Sequence, residues 1–246
     1  MRLFFIIPAH KGILMEPAFT KFRISKITEA LPGKVRIFRL EPVEGTVPGR
    51  KPGQYVALKL GEVERSYSLS GPVEADYLEV TVKLAGSFTG KLFGLGEGAE
   101  ILASPPQGRF VLEVEKVGAA EIVFLAGGVG ITPFSCFADY ISRRRMENKV
   151  TLIYGSRVPS EIILRERIEL LFSEIPNGKI VYTVDSAEPG WTGNVGFIGK
   201  DLLEKSVAAP KEAKYFICGP PPMVKAIVEV LKEMQVPLQN IALEGW

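Results

Sequence analysis

The chain has 246 residues, 46% hydrophobic and 24% charged, with 25 Gly and 18 Pro, which is ordinary globular composition at a length that supports one large domain or two small ones. Thirty Lys and Arg against 28 Asp and Glu leave a net charge of +2, which excludes a nucleic-acid binder that works through bulk charge. Two cysteines, Cys136 and Cys218, with a single His exclude a disulfide framework, a four-ligand zinc site and a thiolate-held iron–sulfur cluster, so redox chemistry here falls to an organic cofactor with no metal.

At the N-terminus, Leu3-Phe4-Phe5-Ile6-Ile7 is apolar but Pro8 stops it. That falls short of the roughly 7–15 apolar residues of a secretory signal and the roughly 18 of a membrane span. A cytoplasmic protein without a membrane span is expected. Residues 1–17 read as an N-terminal extension, either an extra edge strand or a stretch upstream of a true start at Met15.

Residues 18–114 carry short alternating segments separated by Pro and Gly: Phe22–Ile27, Val35–Leu40, Gln54–Leu60, Ser66–Leu69, Tyr77–Leu84 and Glu100–Ala103. In Tyr77–Leu84 the apolar Leu78, Val80, Val82 and Leu84 share one face and Glu79, Thr81 and Lys83 the other. Period two predicts a half-buried antiparallel strand. Six such strands joined by turns such as Leu31-Pro32-Gly33 predict a small antiparallel barrel.

The pattern changes after the linker Glu115–Ala120. From residue 120 to 246 fully apolar strands (Ile122–Ala126, Val150–Tyr154, Ile180–Val184, Tyr215–Cys218 and Ile241–Leu243) alternate with helical stretches. This predicts a doubly wound α/β domain on a parallel sheet. Its first strand runs into Gly127-Gly128-Val129-Gly130-Ile131-Thr132-Pro133 and then a helix. Backbone N–H groups at a helix start suit an anion such as a pyrophosphate. Gly128 and Gly130 permit close backbone approach, Thr132 is expected to cap and Pro133 suits the first helical turn. The spacing G-x-G-x-x-P is neither the dinucleotide fingerprint nor a Walker loop.

Three further motifs occur in order with this loop: Arg65-Ser66-Tyr67-Ser68, Gly86-Ser87-Phe88-Thr89 and Cys218-Gly219-Pro220-Pro221. Together the four motifs resemble the ferredoxin–NADP⁺ reductase superfamily, over about residues 19–246. The resemblance implies an N-terminal flavin-binding barrel, a C-terminal NAD(P)-binding domain, and FAD or FMN with NAD(P)H as cofactors.

The same resemblance implies roles for particular residues. Arg65 pairs with a flavin phosphate, Tyr67 lies against the isoalloxazine, and Ser68 hydrogen-bonds near N5, the hydride acceptor. Val82 and Lys83 flank the flavin through backbone groups, and Ser87 and Thr89 serve its pyrophosphate. Gly128, Gly130, Thr132 and Pro133 hold the nucleotide pyrophosphate, while Cys218, Gly219 and Pro220 lie beside the nicotinamide. Ser156 and Arg157, after the next strand, are placed to meet a 2′-phosphate, although NADH-using relatives also carry an Arg there, so the donor stays open. At the end of the sequence, Glu244 orients the site and Trp246 lids the flavin. The triplet Arg143-Arg144-Arg145 reads as a solvated helix C-terminus.

The sequence is thus identified as a flavoprotein oxidoreductase that takes a hydride from NAD(P)H and passes electrons to a separate acceptor. Ferredoxin, flavodoxin, an oxygenase, a partner subunit or free flavin all fit as that acceptor. The competing expectation is a non-catalytic nucleotide-sensing or scaffolding subunit on the same fold.

Overall fold

The computed structural model describes residues 18–244. The expectations for residues 1–17 and for Trp246 lie outside that range. Six strands of the first half, β1 (Thr20–Leu31), β2 (Val35–Pro42), β3 (Tyr55–Leu60), β4 (Val63–Ser68), β5 (Leu78–Lys83) and β6 (Glu100–Ala103), pair antiparallel in the order β4-β3-β6-β1-β2-β5. An antiparallel bridge between Leu69 and Val80 joins the two edges, so the sheet closes into a barrel. Inside it lie Phe22, Phe38, Leu40, Leu58, Leu78 and Val80, all nearly inaccessible to solvent. A short helix, α1 (Gly86–Phe93), buries Phe88 and Leu92 against the same core.

A one-turn α2 (Val114–Val117) leads to the second sheet. Its strands, β7 (Ile122–Gly127), β8 (Val150–Ser156), β9 (Gly178–Val184), β10 (Asn194–Val195), β11 (Lys214–Cys218) and β12 (Ile241–Glu244), are all parallel, in the order β10-β9-β8-β7-β11-β12. Alternate residues of β7 feed two cores. Ile122, Phe124 and Ala126 pack under α3 (Thr132–Arg143) and α4 (Arg165–Ser173), and Val123 and Leu125 under α5 (Lys200–Ser206) and α6 (Pro221–Glu233). A strand buried on both faces must be apolar throughout, which is why β7 has no polar alternation.

The alternation in Tyr77–Leu84 predicts a strand with one face in water. β5 is not half-exposed: Glu79 and Thr81 on its polar face are buried, because that face lies against the second sheet's helices rather than against water. Glu79 accepts from Arg167 of α4 at 2.6 Å and from the Ser70 hydroxyl at 2.9 Å. Lys34–Glu161 and Arg144–Glu74 also cross between the halves, and Val35 of β2 sits in the core under α3. Of the triplet at the end of α3, Arg143 pairs with Asp139 one turn back in its own helix, and Arg144 makes the crossing bond to Glu74. Among the described residues no helix is long and apolar enough to cross a membrane.

Candidate active site

Parallel strands place their C-terminal ends on one edge, where α/β sheets hold ligands. That edge faces the barrel, and two cavities lie in the seam. The larger, about 760 Å³, is walled on one side by Gly33, Lys34, Lys83 and Leu84 of the barrel half. On the other side it is walled by the ends of β7, β8, β9 and β11: Gly127, Gly128, Ser156, Arg157, Asp185 and Pro220. The smaller, about 550 Å³, is lined by Tyr55, Ser66, Ser68, Gly108, Arg109, Phe110 and Glu244.

Gly128 lines the larger cavity at φ +53°, a left-handed conformation that favours glycine, and a Cβ there would meet nothing within 4 Å. The Tyr154 hydroxyl donates to the Gly128 carbonyl at 2.9 Å and accepts from the Ile163 N–H at 3.1 Å, which fixes the loop to the segment before α4. Gly130 is placed differently. A Cβ on it would stand 2.2 Å from the Cys218 carbonyl oxygen, so this glycine lets the loops after β7 and β11 touch, away from the cavity. Gly219 does the same from the other side, its Cβ position lying 3.1 Å from the Gly127 backbone nitrogen. Thr132 is buried and does not cap. It is the first residue of α3, and its hydroxyl donates back to the Val129 carbonyl at 2.7 Å, because a 3₁₀ turn over Gly128–Ile131 already leads into the helix. Pro133 occupies the first turn, as expected, and is buried.

At the seam three of the four residues expected to be catalytic meet. Ser68 Oγ donates to Glu244 Oε2 at 3.1 Å, and the Cys218 thiol lies 3.7 Å from the same oxygen. The pairing of Cys218 with Glu244 in the β11–β12 register brings the second contact about. Burial pushes the Glu244 carboxyl up to about 7, against the opposing pull of the hydrogen bonds from Ser68 and Cys218. Burial also pushes the Cys218 thiol up, with the adjacent Glu244 adding to the rise, so the sulfur stays protonated. Tyr67 is not part of this cluster. Side chains alternate along β4, and its ring stacks on Phe88 of α1 with centroids 6.2 Å apart. Burial raises its hydroxyl to about 12.

The remaining expected residues divide. Arg65 is exposed, with its guanidinium donating only to the Glu64 carbonyl among the described residues. Ser87 is exposed in the first turn of α1. The Thr89 hydroxyl is committed to its own helix, accepting from the Ala85 N–H at 2.7 Å and donating to the Gly86 carbonyl at 3.1 Å. Val82 is buried in the barrel core, while Lys83 lines the larger cavity. Sequence reasoning missed Lys34, Arg109, Glu161, Asp185 and Phe197, the last 85% exposed at the cavity wall. Only Asp185 had a signal, its position just after a parallel strand.

The donor set fits an anionic dinucleotide in the larger cavity: an open glycine turn, a hydroxyl and three cationic side chains. The smaller one offers an arginine, two serine hydroxyls and a carboxyl, without any group of three or more metal-binding side chains among the described residues.

Known proteins agree with this architecture. Residues 124–229 match the family model described as an oxidoreductase NAD-binding domain. NADH-cytochrome b5 reductase 1 of Pyricularia oryzae is 30% identical over 234 residues, covering 88% of this chain and 75% of the relative. The ferredoxin NADP⁺ reductase of Neisseria gonorrhoeae, solved with bound FAD and NADP, superposes with TM-score 0.78 at 25% identity over 92% of this chain and 98% of that one. The cytochrome b5 reductase domain of Ulva prolifera nitrate reductase shares the fold at TM-score 0.81 and 24% identity, covering 92% and 97% of the two chains. An antiparallel β-barrel followed by a parallel α/β sheet is the two-domain architecture that these reductases share. The chain belongs to the ferredoxin–NADP⁺ reductase superfamily, and it is an NAD(P)H-dependent flavin oxidoreductase that passes electrons to a separate acceptor.

Proposed function

We propose that the chain holds FAD with its ring system in the smaller cavity, binds NADH in the larger one, and delivers electrons to a one-electron carrier protein. The observation that carries this reading is the Ser68–Glu244–Cys218 cluster, which joins the two domains and presents Ser68 and Glu244 to the smaller cavity. A bound flavin supplies a ring nitrogen, N5, that accepts a hydride and lets two electrons leave one at a time.

The chain's own residues supply position and proton control. Arg65 and Arg109 are exposed guanidiniums suited to bidentate phosphate contacts. Ser68, tethered to Glu244, presents a fixed hydroxyl to the smaller cavity. Glu244 can hold or release a proton at Oε2 near neutral pH, the range in which a general acid or base is useful. Cys218 and Gly219 leave little bulk beside it, which suits a flat nicotinamide. Support for NADH comes from Asp185 at the adenosine side, suited to a ribose hydroxyl, and from the NADH-linked b5 reductase relative. A scaffold would have no use for a buried, titratable carboxyl shared between two domains.

Anaerobic stopped-flow mixing of the purified protein with NADH tests the proposal. Bleaching of a flavin band, followed by recovery on adding cytochrome b5 or a ferredoxin, is the expected result. No flavin absorbance after reconstitution with FAD would overturn it in favour of a non-catalytic subunit.

A further inference from the structure

Five charged side chains line the larger cavity: Lys34, Lys83, Arg157, Glu161 and Asp185. Two of its three cations are held by one carboxylate. Lys34 Nζ donates to Glu161 Oε1 at 2.7 Å, and Arg157 donates from Nε to Oε2 at 3.1 Å and from Nη2 to Oε1 at 3.2 Å. The two cations keep the carboxyl well below the usual range, at about 2, so it is charged at any working pH.

The placement gives this cluster a meaning. Arg157 directly follows Ser156 at the C-terminal end of β8, and the Asp185 N–H donates to the Ser156 carbonyl at 3.0 Å, so the two loops form one rim. At such a rim a free guanidinium accommodates a 2′-phosphate, whereas a carboxylate favours an unmodified ribose hydroxyl. A phosphate monoester brings nearly two negative charges and needs uncommitted donors. Here the two cations nearest the β8 rim, Arg157 and Lys34, are committed to one carboxylate, and a second, Asp185, shares the cavity wall.

We propose that Glu161 is a specificity-determining residue: by engaging Arg157 and Lys34 it withholds both cations from a 2′-phosphate and makes the chain select NADH over NADPH. This rests on the reading of the larger cavity as the nicotinamide nucleotide site.

The opposite role is a real competitor, since a carboxylate can also hold an arginine ready for a phosphate. Binding separates the two. Isothermal titration of the full chain with 2′,5′-ADP and with 5′-ADP gives an affinity ratio that isolates the 2′-phosphate. Glu161→Gln is expected to shift that ratio toward 2′,5′-ADP by about tenfold, one charge contact's worth. Glu161→Ala should move it the same way, and Arg157→Ala added to Glu161→Gln should cancel the gain. The kcat/KM ratio of NADPH to NADH should follow. If 5′-ADP binds but the ratio stays put or falls in the Glu161 variants, the masking role is overturned while the nucleotide site stands. If 5′-ADP binds neither wild type nor variants, the site assignment fails and the proposal fails with it.

Discussion

Ser68 and Glu244 are separated by 176 positions and by a change of sheet, yet the serine hydroxyl lies 3.1 Å from the glutamate carboxyl. Each ends a strand, β4 in the barrel and β12 in the parallel sheet, so a single hydrogen bond reports that both domains are folded and docked. The carboxyl stays charged or neutral according to how dry that junction is.

The first prediction follows from that dryness. Glu244 titrates near 7 when folded, against roughly 4.3 for a free glutamate. Between those values the folded state binds more protons than the unfolded one, so stability falls as pH rises from about 4 to about 7 and the full loss persists above. Glu244→Gln removes the penalty, and urea unfolding should show the variant gaining on wild type across this window. At pH 8 the gain should be on the order of 2–3 kcal/mol. Parallel pH profiles for the two proteins would mean that the carboxyl titrates normally.

A second prediction concerns Arg65. If it holds a flavin phosphate, Arg65→Ala removes a charge-assisted contact worth roughly 1.5–3 kcal/mol, or about one to two decades of flavin affinity. Flavin retention through extended dialysis, compared with wild type, is the measurement; equal retention would remove Arg65 from the site.

The two loop glycines should behave oppositely. A methyl group at position 130 would collide with the Cys218 carbonyl, so Gly130→Ala should lower Tm markedly and loosen the Cys218–Glu244 contact. At position 128 the methyl group meets open space, and only the left-handed backbone costs roughly 1–2 kcal/mol. Gly128→Ala should therefore fold and instead weaken NAD⁺ binding. Thermal scans and nucleotide titrations of both variants check the contrast, which disappears if both lose only stability.

The fourth prediction tests the seam. Glu79→Ala would strip Arg167 of its 2.6 Å partner at a site where Glu79 is only 6% exposed. Arg167 is partly exposed and keeps its donation to the Ser70 carbonyl, so losing this charge-assisted bond should cost roughly 1.5–3 kcal/mol. Guanidinium unfolding should register that loss, and Glu79→Gln, which keeps the hydrogen bond to Ser70, should recover part of it. A loss below 1 kcal/mol by Glu79→Ala would show that the pair only breaks even with solvent.

Much of this was legible in the residues, for identifiable reasons. The apolar run of β7 announces a buried parallel strand because both its faces are covered by helices. The alternation of β5 predicts its inward Leu78, Val80 and Val82. What it cannot convey is that the outward Glu79 meets an arginine 88 positions away, because polarity is a property of the residue and burial a property of the assembly. Gly128, Ser156, Arg157 and Pro220 share one cavity because parallel strands end together, a regularity that sequence order carries. Lys34 and Glu161 do not follow from any local pattern, since the hairpin that brings Lys34 to the rim belongs to the other sheet. Thr132 sits inside the helix and not at its cap because a 3₁₀ turn, which has no sequence signature distinct from a loop, precedes it.

The bonds across the seam (Lys34–Glu161, Glu74–Arg144, Glu79–Arg167 and Ser68–Glu244) also bear on inheritance. A barrel and a nucleotide domain look like interchangeable modules, each with its own core. Yet every one of these pairs has one member in each module, so a chimaera that imports either half from a relative inherits only half of each pair. Recombination would deliver a barrel that has Ser68 but nothing to bond it, and a rim in which Glu161 still holds Arg157 but has lost Lys34. The interface, more than either core, is the unit that must be transmitted whole.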